Sequence, residues 1–357
     1  MNFLDNYRTV KKYDRQNMLS SIESLGLQCQ QAWSEVSKLK IPSSYRQADS
    51  VVISGMGGSA LGGHVIESLF GQKIKVPLKV VNSYHLPGFV NNRTLVLVST
   101  YSGTTEETLA AFYEARKKRA KIMVICAGGA LAKLAKRFHL PGYIFSPDFN
   151  PCNQPRMGLG YSIFGQIALL KKCGLLPVGD QEVNQAIRLI VGLHKQFGFK
   201  APLARNQAKK VAVGLRGRMA IPVSAEHLAG NAHVLANQIN ENAKNFSAYY
   251  LLSELNHHLM EGLKFPVTNR RQLVFLFLES KLHSLVMLKR VAITKKVLIK
   301  NHILFVSYLA KSRTPLLQAM EILLFGSYVN YYLALLNGLN PSPIPFVDFF
   351  KKQLSAK

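Results

Sequence analysis

Acidic residues are scarce in this chain. Its 357 residues include 19 Asp and Glu against 45 Lys and Arg, a formal net charge of +26 at pH 7. A field of that sign suits nucleic acid, acidic lipid or anionic metabolites. Aromatic-interleaved basic motifs, a zinc knuckle and a basic tail are all missing, however, so a solvated basic surface and no specific nucleic-acid partner are expected. Such a surface still draws phosphorylated ligands toward their site. Cysteine is also sparse. Cys29, Cys126, Cys152 and Cys173 show no paired spacing, so neither a disulfide framework nor a zinc site follows, and a cytoplasmic location is expected. Long apolar runs are lacking too. The longest, within 322–336, is broken by Gly326, Ser327 and Asn330, which predicts a buried helix and no membrane span. Met1 to Lys12 has no apolar core and no small-residue cleavage site, so no signal peptide is expected.

What remains is a well-folded chain, 48 % hydrophobic and long enough for two domains. Helical periodicity covers 1–47. An alternation of short apolar runs and helical stretches follows. Strands are predicted at 50–53, 78–81, 94–99, 121–126 and 143–146, with helices at 60–70, 106–116 and 130–138. This is the pattern of a doubly wound parallel sheet, whose ligands bind at the carboxyl ends of its strands. After an irregular stretch, 150–160, come helices at 161–173 and 180–197. A second α/β unit then begins, with strands at 219–223, 273–278 and 303–308, a helix from Leu228 to about Tyr250, a long buried helix at 314–336 and a terminal one at 347–354. The expected division is 1–157, an N-terminal helix plus the first domain, and 158–357, the second domain with the C-terminal helix.

Two strand-to-helix turns of the first unit carry anion-binding chemistry. Ser54-Gly55-Met56-Gly57-Gly58-Ser59 brings backbone N–H groups and a hydroxyl to a helix start. Thr100-Tyr101-Ser102-Gly103-Thr104-Thr105 adds a cluster of hydroxyls at a second helix start. Neutral donors and helix dipoles suit a dianionic phosphate that must bind and leave. A dinucleotide site is disfavoured, because the strand 78–81 ends at Asn82 rather than at an acidic residue.

Glu241 stands among Asn237, Asn240 and Asn242, and amide neighbours can hold a carboxylate by hydrogen bonds. A positioned, ionised Glu is what a general base requires. Arg156 follows the fifth strand in a loop that can reach the ligand cleft. His257, read here as a loop residue, can shuttle a proton near neutral pH. The pair His257-His258 finds no third ligand at useful spacing, so no metal is expected.

Together these stretches resemble the bifunctional phosphoglucose/phosphomannose isomerase family, built from two sugar-isomerase (SIS) domains of doubly wound, flavodoxin-like type. The motifs are Gly55-Met56-Gly57-Gly58-Ser59-Ala60, Thr100 to Thr108, Gln154-Pro155-Arg156, Asn240-Glu241-Asn242-Ala243-Lys244 and Glu254-Leu255-Asn256-His257, in the family's order. The C-terminus from Gly326 through Pro341 to Lys351 is similar as well. The resemblance implies a sugar-phosphate site at Gly58, Ser59, Thr100, Ser102 and Thr105. It implies Glu241 as base, Arg156 facing the enediolate, and His257, from the partner subunit of a homodimer, opening the ring together with Lys351. No metal or redox cofactor is implied. The chain departs from the family at Thr100, Thr104, Ala236-Asn237-Gln238 and His258-Leu259, and its linker between Arg156 and Glu241 looks long; none of these removes a residue of the implied proton path. The expected activity is interconversion of glucose 6-phosphate and mannose 6-phosphate with fructose 6-phosphate through a cis-enediolate. The alternative is a non-catalytic SIS-domain sensor of sugar phosphates, which needs both phosphate loops but no base. An amino-sugar isomerase is a third reading, unsupported by any glutaminase segment.

Overall fold

A computed structural model of the chain describes residues 3–355. The first sheet contains β1 (Ser50–Ser54), β2 (Leu78–Val81), β3 (Thr94–Ser99), β4 (Lys121–Cys126) and β5 (Gly142–Ile144), all parallel, in the order β2-β1-β3-β4-β5. The second contains β6 (Met219–Ser224), β7 (Tyr250–Leu251), β8 (Leu273–Ser280) and β9 (Leu304–Ala310), also parallel, in the order β7-β6-β8-β9. The expected α/β class with two doubly wound sheets is therefore what the chain adopts.

The reason lies in the strands. β3 and β4 read Thr-Leu-Val-Leu-Val-Ser and Lys-Ile-Met-Val-Ile-Cys. Branched residues on both faces mark strands covered by helices above and below. Val51, Ile53, Leu95 and Leu97 join one core layer, while Val52, Val96 and Val98 join another on the opposite face. The first layer continues into the second sheet through Val274, Leu276 and Leu278, so one hydrophobic core ties the two sheets together.

Several elements differ from expectation. The helix carrying Glu241 runs Ala229–Ala243 and stops well short of Tyr250. Lys244 takes a left-handed conformation (φ 49°) that ends it, and Tyr250–Leu251 becomes β7. His257 lies in a helix, Leu252–Gly262, rather than in a loop. Helices also form at Gln207–Leu215 and Leu285–Lys300, where the pattern of the sequence predicts none. The N-terminal stretch is several short helices, of which Leu25–Ser37 packs on Leu159–Lys172; Met1 and Asn2 lie outside the described residues. The apolar run near the C-terminus is the helix Pro315–Leu336. It has the length and composition to cross a membrane, but the apolar stretch that would do so is buried within the fold.

Candidate active site

The loops after β1 and β3 meet at the carboxyl edge of the first sheet, where the strand order turns outward in both directions. Each opens a helix, Gly58–Phe70 and Glu106–Lys117. Neither helix has a side-chain cap, so their first N–H groups are not consumed by one. Thr105 occupies the cap position of the second, but its hydroxyl pairs with that of Thr100 at 2.9 Å. The two loops are joined by Ser59, whose Oγ accepts from the Tyr101 N–H at 2.8 Å. Ser102 is exposed, and its Oγ accepts from Thr104 N–H at 3.2 Å. Thr100 is buried and faces Thr105 rather than open solvent.

Gly58 brings the next loop in. A Cβ on Gly58 would lie 2.9 Å from the backbone N of Arg156 and 3.0 Å from its Cα, so only glycine allows this approach. Gly103 is equally constrained: its φ is +72°, and any Cβ would overlap the Gly128 carbonyl.

Arg156 is the centre of the assembly. Its side chain is 1 % exposed, and its guanidinium donates to five acceptors. Nε reaches Asn242 Oδ1. Nη1 reaches Gln154 Oε1 at 2.7 Å and Glu241 Oε2 at 3.3 Å. Nη2 reaches the carbonyls of Pro341 at 3.1 Å and Ser342 at 2.7 Å. A planar fork with fixed donors is the group able to hold such a set. Burial pushes the guanidinium below its ordinary range, with Glu241 the first of the groups that oppose this.

Glu241 is 30 % exposed, its carboxylate open to the cleft on one side and held by Arg156 on the other. Burial raises its pKa, against the pull of the Arg156, Lys244 and Lys351 cations in that order. Asn240 and Asn242 do not hold this carboxylate as expected. Asn242 Oδ1 accepts from Arg156, and its Nδ2 donates to Asn330 Oδ1 at 2.6 Å. Asn240 exchanges hydrogen bonds with the Ser247 backbone. Successive helix residues point in different directions, so neither can turn toward the carboxylate of residue 241.

Lys244 is a group whose role the sequence does not show. Its ammonium donates to the carbonyls of Glu241 at 2.9 Å, Asn340 at 3.2 Å and Pro341 at 2.8 Å. Partial burial lowers its pKa to about 8; Arg156 adds to the effect and Glu241 opposes it. Arg156 and Lys244 thus fasten the turn 340–342, which leads into the last helix, Pro345–Ser355. Lys351 lies on that helix, exposed, with its charge felt at Glu241. Their place in the stretch Asn240–Lys244 is the sequence signal for Asn242 and Lys244. Asn330, buried in a mostly apolar helix, is the signal for the amide network behind Arg156.

The structure thus brings together Gly58, Ser59, Thr100, Ser102 and Thr105 in one cradle and Arg156 with Glu241 beside it. His257 is exposed, and among the described residues no hydrogen bond or ion pair joins it to Glu241. The arrangement can hold an anion by neutral donors. It can also present one carboxylate of raised basicity next to a buried cation.

Residues 204–354 match a family model described as the bacterial phospho-glucose isomerase C-terminal SIS domain. A bifunctional phosphoglucose/phosphomannose isomerase of Caldicellulosiruptor bescii is 31 % identical over 95 % of this chain and 99 % of its own length. One of Thermoplasma volcanium is 30 % identical over 86 % of this chain and 92 % of its own. Among solved structures, a hypothetical protein of Thermus thermophilus superposes with a TM-score of 0.74 at 17 % identity, covering 98 % of this chain and 94 % of that one. Tagatose-6-phosphate ketose/aldose isomerase of Escherichia coli superposes with a TM-score of 0.70 at 14 % identity, covering 91 % and 94 %; at such identities the likeness is one of fold. With that extent of identity to the curated relatives along the whole length, the chain belongs to the bifunctional phosphoglucose/phosphomannose isomerase family.

Proposed function

We propose that this protein is an aldose–ketose isomerase that interconverts glucose 6-phosphate and mannose 6-phosphate with fructose 6-phosphate. The observation that carries the reading is the Glu241–Arg156 pair, 3.3 Å apart at the edge of a phosphate cradle. The phosphate binds at Ser59, Ser102, Thr105 and the N–H groups of the two helix starts, with Thr100 turning its hydroxyl toward the substrate. That remote binding energy positions carbons one and two of the sugar. Glu241 removes the proton from carbon two of the aldose and returns it to carbon one. Arg156 stabilises the negative charge that develops on the oxygen between these steps. Glucose and mannose 6-phosphate lose the same stereocentre in the enediolate, so one base serves both. Lys351 and His257 move the ring-opening proton.

His257 acts from the partner subunit of a homodimer. This is supported by its exposure and by the apolar side chains left uncovered on the last helix. Phe346 is 87 % exposed, and Phe349 and Phe350 are exposed beside it. The division at 157/158 is proposed as the domain boundary, the protein as a cytoplasmic enzyme of hexose phosphate metabolism. The test is a coupled assay for fructose 6-phosphate from each aldose. Turnover with both substrates, lost in Glu241→Gln, supports the reading; tight binding with no turnover favours a sugar-phosphate sensor instead.

A further inference from the structure

The second sheet repeats the order of the first, with β7, β6, β8 and β9 standing where β2, β1, β3 and β4 stand. Its crevice therefore opens between the loops that follow β6 and β8. In the first sheet these loops carry glycines and hydroxyls. In the second they carry Glu226, His227 and His283. The loops touch, since the Glu226 carboxylate accepts from the Ser284 N–H at 3.0 Å. One potential ligand atom from each of Glu226, His227 and His283 lies within 4.8 Å of the other two. Two loops from different strands supply them, so no spacing motif in the sequence announces the group.

Two further details point to a cation. His283 is only 4 % exposed, and among the described residues neither of its ring nitrogens has a hydrogen-bond partner of ordinary geometry. The Ala225 backbone lies close enough to favour the charged ring, but this pull is weaker than the burial that opposes it. A buried imidazole in that state is unfavourable unless something satisfies it. His227, in contrast, is oriented by a chain of contacts. Gln318 Nε2 donates to the Ser312 carbonyl at 2.8 Å, which turns Gln318 Oε1 toward His227 Nε2 at 2.9 Å. The same Oε1 also accepts from the Ser280 hydroxyl. His227 therefore carries its proton on Nε2 and keeps the lone pair on Nδ1. An imidazole whose N–H is held by an oxygen while its other nitrogen keeps its lone pair has the arrangement seen at metal-ligating histidines. Lys73 is the cation felt at His227, while Glu226 and Glu279 lend negative charge to His283.

We propose that Glu226, His227 and His283 bind a first-row divalent transition cation of the zinc, cobalt or nickel kind, fastening the two loops at the switch point of the second sheet. Two imidazoles and one carboxylate are a donor set such ions prefer. Bonds of about 2.0–2.2 Å hold ligand atoms roughly 3.0–3.5 Å apart, so binding needs a loop movement on the order of 1 Å. The site is separate from Glu241, which lies at the far end of the helix that follows His227, roughly 20 Å along the axis.

The experiment uses full-length protein stripped with EDTA and desalted, titrated calorimetrically with Zn²⁺ alone and followed with Co²⁺ by its visible absorption. The expected result is one equivalent per chain with micromolar or tighter affinity. Affinity should fall at least about tenfold in Glu226→Gln and in His283→Asn. It should hold in a His257→Gln/His258→Gln control, and Zn²⁺ should raise the melting temperature of the parent protein by several degrees. Glu226 is exposed, so its variant is expected to fold and isolates the ligand effect. Absence of binding at millimolar Zn²⁺, or binding unchanged in both Glu226→Gln and His283→Asn, overturns the proposal.

Discussion

Replacing Arg156 by Lys keeps the charge and removes the fork. The guanidinium serves five acceptors from three nitrogens: Asn242, Gln154, Glu241, Pro341 and Ser342. A lysine ammonium has three protons on one atom, so at least two acceptors lose their donor. Each hydrogen bond to a charged group is worth about 1.5–3 kcal/mol, and losing two costs about 3–6 kcal/mol. At roughly 2.1 cal/mol/K of unfolding entropy per residue, a chain of this size loses about 1.3 °C per kcal/mol, which gives a fall of about 4–8 °C in Tm. The catalytic effect is larger in proportion. In the proposed mechanism a displaced cation no longer faces the oxygen that gains charge, so kcat should fall about a hundredfold to a thousandfold. Calorimetry and the coupled fructose 6-phosphate assay read the two effects separately. An Arg156→Lys variant with parental Tm and parental kcat would refute the claim that this guanidinium organises the site.

Other outcomes follow from the same geometry. Glu241→Gln should lower turnover about a thousandfold or more while leaving the fold intact, read by kcat and circular dichroism. Because burial raises the Glu241 pKa, activity should fall on acidification at a pH above the ordinary carboxylate value of 4.5; in Lys244→Met, which removes one of the opposing cations, that limb of the kcat/KM profile should move to higher pH. Linkage follows from the same shift. The folded state binds the Glu241 proton more tightly than the unfolded chain, so this group's contribution to stability falls as pH rises from about 4.5 through the raised value, and Glu241→Gln should lack that slope in chemical denaturation. For the proposed site shared across a homodimer, mixed Glu241→Gln and His257→Asn subunits should recover about a quarter of parental activity, since half of randomly paired dimers are mixed and each holds one intact site of two; no recovery after reassembly argues against a shared site. Thr105→Val should raise KM more than it lowers kcat, since in the proposed mechanism it removes a phosphate-side hydroxyl and no part of the proton path.

Much of the architecture is legible in the sequence because hydrophobic pattern and strand length agree in the first half. β3, β4 and the helix Asp180–Phe197 form where periodicity puts them. The helix Leu285–Lys300 does not show, since its apolar residues face solvent as well as core: Leu285, Val286, Ile293 and Ile299 are all exposed. No single face stands out in such a pattern. The end of the Glu241 helix is hidden because its stop is a left-handed Lys244 rather than a glycine, and the polar run continues past it. Glu241 and Arg156 each stand out in the sequence, but their contact spans 85 positions and only the fold could supply it. The backbone carbonyls of Pro341 and Ser342 carry no sequence signal at all, although they anchor the guanidinium. Asn240 and Asn242 mislead for a geometric reason: residues one apart in sequence on a helix do not face each other across its surface.

The central claim is that one carboxylate carries a proton between two carbons of the substrate. The most direct measurement follows deuterium from carbon two of labelled glucose 6-phosphate during a single turnover, by NMR of the fructose 6-phosphate formed. The account predicts label at carbon one of the product or washed out into solvent, with both outcomes abolished in Glu241→Gln. Label retained at carbon two during turnover, or transfer undiminished in Glu241→Gln, contradicts it.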